Sequence, residues 1–200
     1  MRAFTHHVVA AVLVLVACKD KSSDSAPTPG SAAPSGSAAA PAPAPATPVA
    51  APAAKTFDGP TFTIKSTLPG PTTKQKEIDT AQGKTMMTMY AFSDPSDENN
   101  IQMVESNPIT APGDLAKARE NSMEGMTGNL QSTIESKTLV TVNGTEMLDF
   151  TAHFSDADGT FFLRGRVAIK DNTLYQTLSM GSGTKPSSAA VTFVESFTLK

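Results

Sequence analysis

The chain has 200 residues, with 16 Lys+Arg against 19 Asp+Glu for a formal net charge of −3, and one cysteine. A mild acidic surplus with no basic run argues against nucleic acid or an anionic membrane surface as a partner. A single cysteine leaves no internal disulfide, so anything that folds must do so on its apolar core.

The first segment is an address. Arg2 gives a short positive start, and Val8 to Val16 form an unbroken apolar run. That run suits a signal-peptide core and is too short to span a bilayer, which needs ~20 apolar residues. It ends in Leu15-Val16-Ala17-Cys18, which resembles the lipobox of bacterial lipoprotein precursors. The resemblance implies cleavage before Cys18, leaving residues 1–17 as the signal peptide, and acylation of Cys18 with palmitate-type chains. One acyl chain binds membranes marginally, whereas two or more hold stably. The alternative is an ordinary secretory signal containing a cysteine, but no A-x-A-like site follows the apolar run. Lys19 follows the cysteine, and Asp20 comes one place too late for the inner-membrane retention signal of many Gram-negative lipoproteins. The expected location is therefore the outer membrane, facing the periplasm.

Residues 18–55 read as the lipidated cysteine and a linker. Of residues 22–54, 13 are Ala, eight Pro and six Ser, and only Asp24 is charged. Pro41, Pro43, Pro45 and Pro48 recur too often for a helical turn to propagate. Without apolar periodicity there is nothing to bury, so a disordered or polyproline-like tether is expected. Extended at ~3.1 Å per residue it would reach ~100 Å, and as a coil nearer ~30 Å. Holding a domain away from the membrane is its expected role, and a glycosylated stalk is the alternative.

Residues 56–200 have the size of one domain. Phe62 to Lys65 alternates and ends at the Leu68-Pro69-Gly70-Pro71 turn. Thr72 to Thr80 leads through Ala81-Gln82-Gly83-Lys84 into Thr85 to Ser93, a hairpin. The second arm places Met87, Met89 and Ala91 on one side and Met86, Tyr90 and Phe92 on the other, as in a strand covered on both faces. After a loop over residues 94–100, Ile101 to Ser106 reads as a strand. Asp114 is the expected N-cap of a helix whose buried arc carries Leu115, Ala118, Ser122, Met123 and Met126.

The C-terminal half is the most strongly patterned. Thr138 to Val142 passes through Asn143-Gly144, a type I′ hairpin signal, into Met147 to Ser155. Asp156 to Gly159 and Asp171-Asn172 turn the chain twice more, which predicts a four-stranded antiparallel meander. Closing those turns places Phe150 opposite Gly165 and Asp149 opposite Arg166, with Arg164 between Thr151 and Ser179. One face then carries Leu148, Phe150, Phe154, Leu163, Val167, Ile169, Leu174, Leu178 and Met180 as core. The opposite face, with Asp149, Thr151, His153, Arg164 and Arg166, is expected to be solvated. Pro186 is expected in the first turn of a closing helix whose apolar side is Ala189, Ala190, Phe193, Val194 and Phe197.

This order of elements resembles the PsbP-like fold, named for an extrinsic subunit of photosystem II and shared with bacterial lipoproteins. Three stretches carry the resemblance: the aromatic strand into a Leu-Pro turn at Phe62 to Pro71, the hairpin and hydrophobic meander from Gly144 to Tyr175, and the ending Val191 to Phe197. It implies an α+β fold, an antiparallel sheet flanked by helices on both sides. It transfers shape and no functional residue.

Candidate chemistry is sparse. His153 is the only histidine after His7, and Asp149 lies four strand residues away, ~13 Å, too far for a direct pair. A Ser-His hydrolase would need a serine brought by another loop. Arg164 and Arg166 on one face could clamp a carboxylate or phosphate, although an exposed Asp149–Arg166 ladder pair of ~0.2–1 kcal/mol is the plainer reading. Asp156-Ala157-Asp158-Gly159 lacks the glycine and glutamate spacing of a calcium loop. Gly181 to Lys185 lacks the P-loop pattern. The methionines at 86, 87, 89, 103, 123 and 126 suit malleable packing better than a thioether metal site. The expectation is a membrane-anchored, non-enzymatic domain that binds an envelope protein, without cofactor or metal. The alternative is a small-ligand or anion-binding protein using Arg164 and Arg166.

Overall fold

The structure, a computed structural model, describes residues 53–80 and 83–200. The signal segment, Cys18, almost all of the linker and the hairpin-loop residues Ala81 and Gln82 lie outside the described residues. Ten strands and two helices make up the described part: β1 (Lys55–Asp58), β2 (Phe62–Ser66), β3 (Thr72–Thr80), β4 (Gly83–Asp94), β5 (Asp97–Pro108), α1 (Leu115–Asn129), β6 (Thr133–Val142), β7 (Thr145–Asp156), β8 (Gly159–Lys170), β9 (Thr173–Ser182), α2 (Ser188–Glu195) and β10 (Thr198–Leu199). β3 to β9 form one seven-stranded antiparallel sheet in the order β3-β4-β5-β9-β8-β7-β6. β1, β2 and β10 form a second, three-stranded sheet.

Local chemistry explains the hairpins. Asn143 and Gly144 both take positive φ, at 50° and 78°, and Asp171 and Asn172 do so at 49° and 55°. These are the backbone angles that let a two-residue turn match the twist of its strands. With those turns fixed, β7 pairs Asp149 with Arg166 and Phe150 with Gly165, and β8 pairs Arg164 with Ser179. The meander is the half of the large sheet that runs β9-β8-β7-β6. β9 then joins β5, so Met103 faces Leu178 and Glu105 faces Gln176 across a connection the sequence does not announce.

Each face of the large sheet carries its own core. On one face Met89, Met103, Leu148, Phe150, Phe154, Leu163, Val167, Leu178 and Met180 pack under Met123 and Met126 of α1. The α1 N-cap is Asp114, whose carboxylate accepts the Lys117 amide at 3.0 Å. The buried arc of α1 differs from the expected one: Arg119 and Thr127 are inside and Leu115 is exposed. Arg119 is accommodated there because its Nη2 donates to Glu146 at 3.2 Å.

Most of the second face is also covered, which corrects the expectation of a solvated surface, while Thr151, His153 and Arg164 toward β6 stay partly exposed. Phe62, Ile64, Phe92, Val104, Met147, Ala168, Tyr175, Phe193, Val194 and Phe197 form a second core between the large sheet, the small sheet and α2. Its rings meet edge-on or tilted: Phe57 on Phe92 at 5.6 Å, Phe62 on Tyr90 at 5.2 Å and Phe92 on Phe193 at 5.4 Å. Each such pair adds ~0.5–1.5 kcal/mol beyond area burial. The helices thus lie on opposite faces of one sheet. α2 begins later than expected, with Ser187 as N-cap accepting from the Ala190 amide at 3.2 Å, so Pro186 precedes the helix.

Candidate functional site

The polar residues of the second face converge where α2 ends. Asp149 and Arg166 are 7% and 4% exposed, so this ladder pair belongs to the interior and not, as expected, to the surface. Arg166 donates from Nε to Asp149 Oδ1 and from Nη2 to Oδ2 at 3.1 Å, a two-pronged grip that suits a planar guanidinium. Its Nη1 donates to the carbonyl oxygens of Glu195 at 3.4 Å and Phe197 at 3.3 Å. The cation therefore also satisfies carbonyls at the end of α2, where the helix dipole favours positive charge.

Arg164 is placed differently. Its guanidinium reaches diagonally along the strand, donating Nη2 to Asp149 Oδ2 at 2.9 Å and Nη1 to the Phe150 carbonyl at 3.1 Å. Glu195 lies 3.7 Å from the same Nη2. Two guanidinium groups therefore face two carboxylates, and the local charge balances. An anion entering here would meet Asp149 and Glu195 as well as the arginines. The two candidate arginines thus have separate roles: Arg166 is committed inside, whereas Arg164 also borders an open cleft.

That cleft has a volume of about 430 Å³ and lies between the end of the sheet and the start of α2. Ser136, Thr138 and Val140 of β6 form one wall, and Pro186 and Val191 form the other. Arg164, Asp149 and Thr151 line its floor. The hydroxyls of Ser136, Thr138 and Thr151 make no hydrogen bond to another described residue. β6 beside it is the last strand of the sheet and is exposed along most of its length.

His153 finds a partner that the sequence reading missed. Its Nδ1 lies 3.0 Å from Glu135 Oε1, at a position where the β6–β7 register shifts between Ile134 and Ser136. With β6 expected to begin only at Thr138, Glu135 had no place beside it. Both side chains are partly exposed. The Asp156–Gly159 segment is a tight turn in which Asp156 accepts the Asp158 amide at 2.8 Å. Among the described residues no group of three or more His, Cys, Asp and Glu side chains is arranged to hold a metal ion. No helix among them is long and apolar enough to cross a membrane.

One further polar group lies inside the other face. Glu105 is 5% exposed, and its Oε1 has no hydrogen-bond partner. Burial alone pushes this carboxyl up to about 7. Its ladder neighbours are Met89 and Gln176, and the Gln176 amide donates to Ser122 of α1 at 2.6 Å.

No family model matches the sequence, and no curated protein matches it. Solved structures do. The solution structure of cyanobacterial PsbP from Synechocystis aligns over 74% of this chain and 94% of its own, with a TM-score of 0.50 at 10% identity. The domain has the PsbP-like fold. A protein of unknown function from Pseudomonas aeruginosa also aligns, over 54% of this chain and 83% of its own, with a TM-score of 0.34 at 8% identity. Within the PsbP-like domain β7 and β8 carry the Arg164–Asp149–Arg166 group, the end of α2 accepts from Arg166, and β6 leaves the cleft open at the sheet edge.

Proposed function

We propose that the chain is a cell-envelope lipoprotein that displays a non-enzymatic, protein-binding PsbP-like domain on a flexible tether. What supports this reading is the pairing of a PsbP-like fold with a sequence in which Leu15-Val16-Ala17-Cys18, resembling a lipobox, stands ahead of a Pro- and Ala-rich stretch. The tether and two or more acyl chains on Cys18 would hold the domain at a membrane while leaving it free to reach a partner. The expected site is the periplasmic face of the outer membrane.

Crosslinking in intact cells followed by affinity capture tests the reading. A discrete crosslinked partner that disappears with Cys18→Ser, together with loss of detergent-phase partitioning, supports it. Turnover of a substrate that His153→Ala abolishes would replace it with a hydrolase, and partitioning unchanged by Cys18→Ser would remove the anchor. The anion-binding alternative now rests on Arg164 at the cleft, and phosphate affinity unchanged in Arg164→Ala would dispose of it.

A further inference from the structure

The edge of the large sheet at β6 combines three properties that occur together nowhere else among the described elements. First, β6 pairs only with β7, so one side of a ten-residue strand presents backbone N–H and C=O groups without a strand partner. Second, its side chains are prepared for contact on both faces. Ile134 and Leu139 are 38% and 52% exposed, two of the four large apolar side chains that are exposed among the described residues. Ser136, Thr138 and Val140 point the other way into the 430 Å³ cleft, whose hydroxyls have no hydrogen-bond partner among the described residues.

The third property is charge. Two carboxylates near this edge, Glu146 and Glu195, face outward while the arginines that pair with them are withdrawn. Glu146 and Glu195 keep 57% of their side chains exposed, whereas their partners Arg119 and Arg164 keep 4% and 13%; Glu120 and Glu135, 45% and 40% exposed, pair with Lys137 and His153 at 50% and 32%. Lys137 is the one well-exposed cation on β6. An approaching chain therefore meets an acidic rim. The rim also discourages self-association, because a second copy presenting the same edge would bring these carboxylates against one another.

We propose that β6 is the docking edge for an extended, cationic segment of a partner protein, which joins the seven-stranded sheet as an added strand. Main-chain hydrogen bonds to β6 would supply affinity, and alternate side chains would supply selectivity. One set of side chains enters the cleft, where hydroxyls and Arg164 can bond to polar groups while Val140, Pro186 and Val191 contact methylenes. The other set covers Ile134 and Leu139, and Lys or Arg residues at its margins reach the acidic rim. This deepens the protein-binding reading above and rests on it.

The test pans the full chain against displayed random peptides long enough to span β6, then measures the affinity of the enriched peptides and backbone hydrogen exchange. The expected result is enrichment of Lys- and Arg-bearing sequences that slow exchange in β6. Thr138→Arg, which fills the cleft, should weaken binding about tenfold or more with an unchanged thermal midpoint. Ser136→Arg serves the same purpose if Thr138→Arg does not fold, and Glu135→Lys should weaken binding and make it less salt-sensitive. Enrichment of no peptide, protection confined to other strands, or affinity indifferent to the cleft substitutions would overturn the proposal. Concentration-dependent protection of β6 without peptide would assign the edge to a second copy and also overturn it. If a partner is captured in cells but crosslinks away from β6, the protein-binding function stands and this edge is excluded.

Discussion

The ring of Phe150 occupies the space that a side chain at Gly165 would need. A β-carbon built on Gly165 would stand 2.4 Å from the ring atoms and 3.0 Å from the Thr177 carbonyl oxygen. Gly165 weakens its own strand so that an aromatic side chain on the neighbouring strand can lie across the backbone. Gly165→Ala should lower stability by ~1–3 kcal/mol through overpacking. Phe150→Leu in the same chain should recover part of that loss, which urea unfolding of the two single variants and the double variant would measure. Additive losses would mean the two residues do not compete for one space.

The Asp149–Arg166 pair should behave as an interior pair. Asp149→Ala leaves two guanidinium groups without their carboxylate and should cost ~3–5 kcal/mol. The combination Asp149→Leu with Arg166→Met should cost less than Asp149→Ala alone, because only Arg164, at the cleft and still near Glu195, then lacks Asp149, and the deeply buried Arg166 charge is gone. A cost below ~1 kcal/mol for Asp149→Ala, the range of exposed pairs, would contradict the burial described above.

Glu105 makes stability depend on pH. Its folded-state value of about 7 lies above the ordinary 4.5. Between those values the folded protein binds more protons than the unfolded chain, so stability falls as pH rises. The contribution is full below pH 4.5 and is lost as pH passes through 7, a change on the order of 3 kcal/mol. Glu105→Gln should match wild type near pH 4.5 and melt at a higher temperature at pH 8. Thermal melts across this range check both the sign and the residue, and parallel wild-type and variant curves would rule Glu105 out.

The cap of α2 offers a smaller test. Ser187 accepts the Ala190 amide at the helix start, and α2 holds Phe193 and Val194 against the second core. Ser187→Ala should cost ~1 kcal/mol, with Ser187→Gly closer to wild type. Faster hydrogen exchange limited to α2 would accompany it.

The local parts of this fold were legible because their chemistry is local. Asn143-Gly144 and Asp171-Asn172 set two turns, and strict alternation in β7 and β8 then left one register that buries Phe150 and Leu163. The second face was misread for a definite reason. Asp149, Thr151, His153, Arg164 and Arg166 look like a wetted surface in sequence, yet Asp149 and Arg166 are more than nine-tenths buried, while Thr151, His153 and Arg164 keep partial exposure at the margin. Asp149 and Arg166 can be buried because the carboxylate satisfies the guanidinium directly. What covers this face is α2 and the small sheet, whose β1 and β10 have only four and two residues, and Arg166 itself meets the carbonyls of Glu195 and Phe197. Strands so short carry no periodicity to detect. β6 was truncated for a related reason: Glu135 sits at a register shift, so the alternation that marks a strand is interrupted there.

β1 and β10 flank β2 in one small sheet, so the first and last described strands lie on opposite sides of the same partner. Tension drawn through the segment before Lys55 would arrive first at the Lys55–Ser66 pairing and work along four residues toward Asp58. Antiparallel pairs loaded from one end open like a zipper, one rung at a time. The first apolar group exposed by that opening would be Phe57, the ring that joins Phe62, Tyr90 and Phe92. Mechanical pull would thus register at the aromatic cluster before it disturbed the meander.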